Sequence, residues 1–63
     1  MGKFRQFHIR RSEANGSWYA EEEATGRVVV ENFANPTDAG HTLVETLTYE
    51  GVDVSTVQTE IHY

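Results

Sequence analysis

Sixty-three residues without a cysteine leave room for one domain, near the lower size limit for a single hydrophobic core, and exclude disulfide staples and thiolate metal sites. At 38% hydrophobic and 24% charged residues the composition is that of a folded chain, and no apolar run is long enough for a membrane span or signal peptide, so a soluble, cytoplasmic protein is expected. The net charge of −5 is unevenly placed: residues 1–11 carry Lys3, Arg5, Arg10 and Arg11 and no acid, whereas residues 12–63 carry Arg27 against ten acids. An acidic body repels a phosphate backbone and attracts basic partners, which weighs against general nucleic-acid binding.

In chain order, the first strand spans about residues 3–12 and ends at Asn15-Gly16, the pair that best tolerates the positive φ angles of a two-residue type I′ turn. That turn would place Ser12 opposite Tyr19, Arg10 opposite Glu21 and His8 opposite Glu23 on one face. The other face would carry Phe7, Ile9 and Arg11 with Ala24, Glu22 and Ala20, and Trp18 further along. This second face is the apolar one. Glu22 is its one misplaced residue, because three consecutive glutamates on an alternating strand must send one carboxylate inward. A β-bulge or a place at the rim would return it to water.

Thr25-Gly26 marks a second hairpin into Arg27–Phe33. A three-residue loop with Gly26 left-handed pairs Glu23 with Arg27 and turns Val28 and Val30 inward. Asn35-Pro36-Thr37-Asp38 then opens a helix, with Asn35 as N-cap, Pro36 at the first helical position and Asp38 at the third. Gly40, Leu43, Val44 and Leu47 form its apolar stripe, with Pro36 and Ala39 at the margin. Gly40 predicts a close approach to the sheet. The helix runs to about Glu50, where Gly51 and Val52 provide a Schellman closure. Alternation resumes over Val52–Tyr63, with Val57, Thr59, Ile61 and Tyr63 on one side and Thr56, Gln58, Glu60 and His62 on the other.

The order is βββαβ, an α+β fold without an internal repeat, in which the simplest sheet is 3-2-1-4 with the helix on one face. Phe7, Ile9, Trp18, Ala20, Val28, Val30, Leu43, Val44, Leu47, Val57 and Ile61 are the expected core. The outer sheet face, with Phe4, Gln6, His8, Arg10, Tyr19, Glu21, Glu23, Gln58, Glu60 and His62, is left to solvent or to a partner. Aromatic side chains among mixed charges suit a protein-binding surface.

Chemistry-bearing arrangements are sparse. Asp38, His41 and Glu45 fall on one helix face at a spacing that could share a divalent ion, but such spacing arises often by chance on a polar face, and a solvated face is the better account. The spread of the three histidines weighs against a structural zinc. His8 and His62 would nevertheless lie on adjacent strands and could make a pH-sensitive contact. Glu22 has no nucleophile, second base or phosphate-binding loop beside it in the sequence, so no catalytic residue is assigned.

Gly16-Ser17-Trp18-Tyr19-Ala20-Glu21, an acidic hairpin and the helix start Asn35-Pro36-Thr37-Asp38-Ala39 resemble two small families over about residues 16–45. One is the three-stranded sheet plus helix at the N-terminus of phage-type integrases, whose sheet binds DNA; this chain lacks that family's basic residues on the second and third strands. The other is the HicB-like antitoxin fold, also βββαβ, whose members neutralise a basic RNase toxin; here the proline-and-glycine loop expected after the second strand is missing. Neither departure permits a family assignment.

The reading that follows is a non-enzymatic module, without cofactor or metal, that binds a basic protein partner. It would act as an antitoxin, immunity or anti-defence inhibitor of the phage or mobile-element kind, occupying a basic nucleic-acid-binding surface. Its expected contacts are Tyr19, Glu21, Glu23, Glu31, Asp38, Glu45, Tyr49 and Glu60, with charge complementarity as the mechanism. A homodimer is expected because a chain this short gains buried area by association. The alternatives are a nucleic-acid reader using Arg5, Arg10 and Arg11, and a small metal-dependent hydrolase built on Asp38, His41 and Glu45.

Overall fold

A computed structural model describes residues 4–63; Lys3, counted above in the basic first strand, lies outside the described residues. The elements are β1 (Arg5–Arg11), β2 (Trp18–Glu22), β3 (Val28–Phe33), α1 (Pro36–Tyr49), a 3₁₀ turn (Val54–Thr56) and β4 (Val57–Ile61). The sheet order is β3-β2-β1-β4, with β4 parallel to β1 and the other pairs antiparallel. One helix packs on it. This is the expected α+β fold, in the expected strand order.

The helix forms where its ends are written in the sequence. Asn35 Oδ1 accepts from the Asp38 backbone N–H at 2.8 Å, and Pro36 occupies the first turn, where no donor is required. At the other end Val52 N donates to Leu47 O at 2.9 Å and Gly51 N to Thr48 O at 3.0 Å, with Gly51 at φ +90°, which is a complete Schellman closure. Between these caps Ala39, Leu43 and Leu47 are buried against Phe7, Ile9 and Ala20, and a Cβ on Gly40 would sit 3.3 Å from Ile9 Cδ1. The close approach predicted at Gly40 is therefore present.

Three expected core residues are exposed: Val28, Val44 and Ile61. The helix is rotated so that Ala39, placed at the margin by sequence, lies in the core, and Val44 turns out. Val28 pairs with Glu21 while Val30 pairs with Ala20, so the irregularity between them puts Val28 on Glu21's side of the sheet. The helix lies chiefly over β3 and β2, which leaves Thr59 and Ile61 of β4 open. Trp18, Val29, Val30, Phe33, Val52 and Val57 pack around the core as partly buried residues, and Trp18 also meets Tyr63 edge-on at 6.1 Å.

The first hairpin differs from expectation in register. Phe7 lies opposite Glu22, Ile9 opposite Ala20 and Arg11 opposite Trp18, two residues away from the predicted pairing. The connection is a four-residue loop, Glu13–Gly16, rather than a two-residue turn. Gly16 N donates to Ser12 O at 2.8 Å, Ser12 N donates to Ser17 O at 2.7 Å, and positive φ is confined to Gly16 in this loop. A slip of two keeps every side chain on its predicted face, because alternation has period two.

The second hairpin repeats this construction. Gly26 N donates to Glu22 O at 2.7 Å and Glu22 N to Arg27 O at 2.9 Å, so its loop is also four residues long, not three. Asn15 Oδ1 accepts from Ser17 N at 3.0 Å, and Thr25 Oγ1 accepts from Arg27 N at 3.2 Å in the equivalent place. Both loops read Glu-Ala-(Asn or Thr)-Gly, with glycine at φ +73° and +75°. The chain thus contains a short internal repeat that the sequence reading did not register, and β2 stops at Glu22.

Candidate functional site

Each of the three consecutive glutamates meets a basic side chain of β1. Glu22 points inward, where Arg5 Nε and Nη2 donate to its two carboxylate oxygens at 2.9 and 3.0 Å, and Thr25 Oγ1 adds a contact at 3.3 Å. Glu22 is 6% exposed, so the expectation of a solvated rim or bulge position is overturned. The physical reason is the register: with Glu22 opposite Phe7 rather than Ile9, Arg5 is its diagonal neighbour and supplies the charge that makes burial tolerable. The hydrogen bonds from Arg5 hold the Glu22 carboxyl below the usual carboxylate range and raise the arginine in turn.

On the opposite face Arg10 lies 3.4 Å from Glu21, and His8 Nε2 meets Glu23 Oε1 at 2.7 Å. These two pairings were predicted as direct cross-strand partners. They occur as diagonal contacts instead, since His8 is opposite Glu21 and Arg10 opposite Tyr19. Arg27, expected on Glu23, reaches Glu50 at the helix end with bonds of 3.1 and 2.6 Å. That pairing lowers the Glu50 carboxyl and raises the Arg27 guanidinium.

The parallel pairing of β1 with β4 completes a cluster around His8. Glu60 lies directly across from His8, and His62 N donates to Ile9 O at 2.8 Å, which fixes the residue after β4 beside the same point. His8 Nδ1 and His62 Nε2 are 2.7 Å apart, and Glu60 Oε1 is 3.7 Å from the first and 3.9 Å from the second. Fifty-four positions separate the histidines in sequence, so only the crossover through α1 brings them together. With His8 Nε2–H donating to Glu23, its Nδ1 accepts from His62 Nε2–H, so both ring nitrogens of His8 are engaged.

Beside this cluster an open groove of about 1020 Å³ runs across the uncovered face, lined by Arg10, Tyr19, Glu21, Val28, Glu31 and His62 and ending at the first hairpin. The predicted contact residues therefore divide. Tyr19, Glu21 and Glu31 line the groove, Glu23 and Glu60 stand in the histidine cluster, and Asp38, Glu45 and Tyr49 lie exposed on the helix across the sheet. Asp38 is also engaged in the helix cap. Asp38, His41 and Glu45 do not converge as a ligand group among the described residues, whereas His8, Glu60 and His62 do.

The strand 1 arginines do not share a surface. Arg5 is turned inward to Glu22, Arg10 outward to Glu21, and Arg11 donates to Gly16 O at 3.3 Å at the hairpin end. Among the described residues no helix is long and apolar enough to cross a membrane. Sequence reasoning missed Arg5 as the partner of Glu22 and Val28 as a groove residue. Parity had placed Arg5 on the same face as Glu22, which was the available signal; nothing local marked the β3 irregularity. No family model, curated protein or solved structure matches the chain, so the residues themselves carry the functional argument.

Proposed function

We propose that the chain is a non-enzymatic protein-binding module whose uncovered sheet face receives a basic segment of a partner protein. The observation that carries this reading is the groove. It combines an aromatic side chain, Tyr19, and an exposed valine, Val28, with Glu21 and Glu31, and has Glu23 and Glu60 beside it. Aromatic anchors in a concave surface supply binding energy, and surrounding charge supplies orientation and rate. Arg10 and Glu21 pair with each other and Arg11 keeps its charge at the hairpin end, so Glu31, with Glu23 and Glu60 nearby, supplies the negative charge for a basic segment. Asp38, Glu45 and Tyr49 are left outside the contact surface. An inhibitor of the antitoxin, immunity or anti-defence type, covering a partner's basic nucleic-acid surface, is the finer form of the proposal.

The test is site-specific photo-crosslinking in the source cells, with the crosslinker at Tyr19 in one variant and at Tyr49 in another. A basic protein trapped from position 19 but not 49, with affinity lowered by Glu31→Lys and by added salt, is the expected result. Trapping from position 49 alone, or a partner that binds equally well after Glu31→Lys, would place the interface elsewhere. A homodimer belongs to the same proposal. It is supported by the open flank of β4, where Thr59 and Ile61 lack cover, and a monomer mass at every concentration in light scattering would remove it.

A further inference from the structure

We propose that His8 Nδ1, His62 Nε2 and Glu60 Oε1 form a three-ligand site for a divalent transition metal of the zinc class, with Glu23 orienting the ring of His8. The three atoms are separated by 2.7, 3.7 and 3.9 Å. A point equidistant from all of them lies about 2.0 Å from each, which is the length of a zinc–imidazole or zinc–carboxylate bond. The donors therefore already surround a volume of ionic size. Moving the two ring nitrogens apart by about half an ångström, while the exposed Glu60 carboxylate closes in by about the same amount, gives tetrahedral angles, with the fourth position open to water. His62, partly exposed, gives up its Nε2 proton to solvent and takes the Nδ1–H tautomer, and the hydrogen bond between the rings is replaced by two metal–nitrogen bonds.

A second, independent observation points to the same ligand. His8 has its other nitrogen, Nε2, 2.7 Å from Glu23 Oε1. A metal-bound histidine characteristically donates its remaining ring N–H to a carboxylate, which fixes the tautomer and makes the ligating nitrogen more basic. That Nε2–H tautomer leaves Nδ1 unprotonated; its lone pair accepts from His62 in the metal-free chain and becomes available to the ion once that contact opens. The ring is held further by burial, since the His8 side chain is 12% exposed at the centre of the sheet. Glu60 is exposed and His62 partly so, which leaves a route by which metal enters.

Two imidazoles and one carboxylate, without a thiolate, suit zinc, cobalt, nickel or copper and not magnesium or calcium, which prefer all-oxygen shells. Three carboxylates, Glu21, Glu23 and Glu60, stand around His8 and favour a dication, with Arg10 on Glu21 as an opposing charge. The ion would join β1 to the segment at the end of β4, the part of the sheet that the helix leaves open. For a chain of 63 residues such a cross-link acts as a staple. The site shares His62 with the groove.

The test uses the full untagged chain with zinc alone and cobalt alone. Expected are a rise in melting temperature on the order of 10 °C at a hundredfold excess over the dissociation constant, visible d–d bands of tetrahedral cobalt, and no response to magnesium. Imidazole ¹⁵N spectra should show zinc shifting Nδ1 of His8 and Nε2 of His62. Loss of the bands in His8→Ala and in His62→Ala, a 10–100-fold weaker affinity in Glu23→Gln, and full binding in His41→Ala complete the expectation. Should His8→Ala fail to fold, the ¹⁵N shifts and His62→Ala carry the same decision. No cobalt band and no thermal shift in the wild type would overturn the proposal. So would undiminished binding in His62→Ala.

Discussion

Glu22 and Glu23 are chemically identical neighbours with opposite surroundings, and the contrast shows how one strand serves two layers. Glu22 faces the helix side, buried under the core, and is held by a bidentate arginine. Glu23 faces the open side and accepts from His8 Nε2 at 2.7 Å, with its carboxylate exposed to water. Undoing the inner pair costs the buried Glu22 carboxylate its charged partner, whereas Arg5, partly exposed, can turn to water. The outer pair can be rearranged at little cost, because Glu23 is exposed and water replaces a lost contact. Stability and adaptability are thus separated by the pleat of a single strand.

The largest expected effect comes from breaking the inner pair. Glu22→Gln should lower stability by about 1–3 kcal/mol in urea unfolding, since a charge-assisted bidentate contact is replaced by a weaker neutral one beside an arginine that stays charged. A change near zero would mean that Glu22 is solvated in the native ensemble. The acid limb of the stability curve sharpens the same point. Because Arg5 lowers the folded carboxyl of Glu22, the stability it provides is present above the ordinary carboxylate range, near 4.3, and is lost as pH falls through the lower folded value. Glu50 on Arg27 and Asp53 on Ser55 act in the same direction. Wild type should therefore lose stability steeply below about pH 4, and Glu22→Gln less steeply.

An intermediate effect should arise in the loops that deliver these glutamates. Gly16 and Gly26 occupy equivalent positions at positive φ, so alanine at either should cost about 1 kcal/mol. The consequence for the carboxylates should differ. Gly26 closes the turn that immediately follows Glu22 and Glu23, and Gly26→Ala should also disturb the Glu23–His8 contact, seen as a shift of the His8 imidazole resonances. Gly16→Ala should leave those resonances in place, and the same shift in both variants would refute the local character of the effect.

The smallest effect belongs to the outer pair. Glu23→Gln should change stability by no more than about 0.5 kcal/mol without metal, because the contact is exposed at one partner and screened. A loss as large as that of Glu22→Gln would erase the distinction between the two faces. Chemical denaturation of both variants in one buffer decides it.

Much of this arrangement was legible in the sequence because it rests on local rules. Asn35-Pro36 and Gly51-Val52 specify the helix ends through backbone groups that need partners within a few residues, and alternation assigns Phe7, Ile9 and Ala20 to one face and His8, Arg10 and Tyr19 to the other whatever the register. The strand order followed from hairpin adjacency and a single crossover. What the sequence left open was distance along the strands. Asn15-Gly16 marks a turn but does not fix its length, and the two-residue difference decides whether Glu22 meets Ile9 or lies beside Arg5. The rotation of α1 that buries Ala39 and exposes Val44, the β3 irregularity that turns Val28 outward, and the meeting of His8 with His62 all depend on packing between residues far apart in the chain. Local propensity determines which face a residue occupies; only the packed sheet determines whom it meets there, because cross-strand neighbours are set by the register that maximises burial and charge pairing over the whole fold.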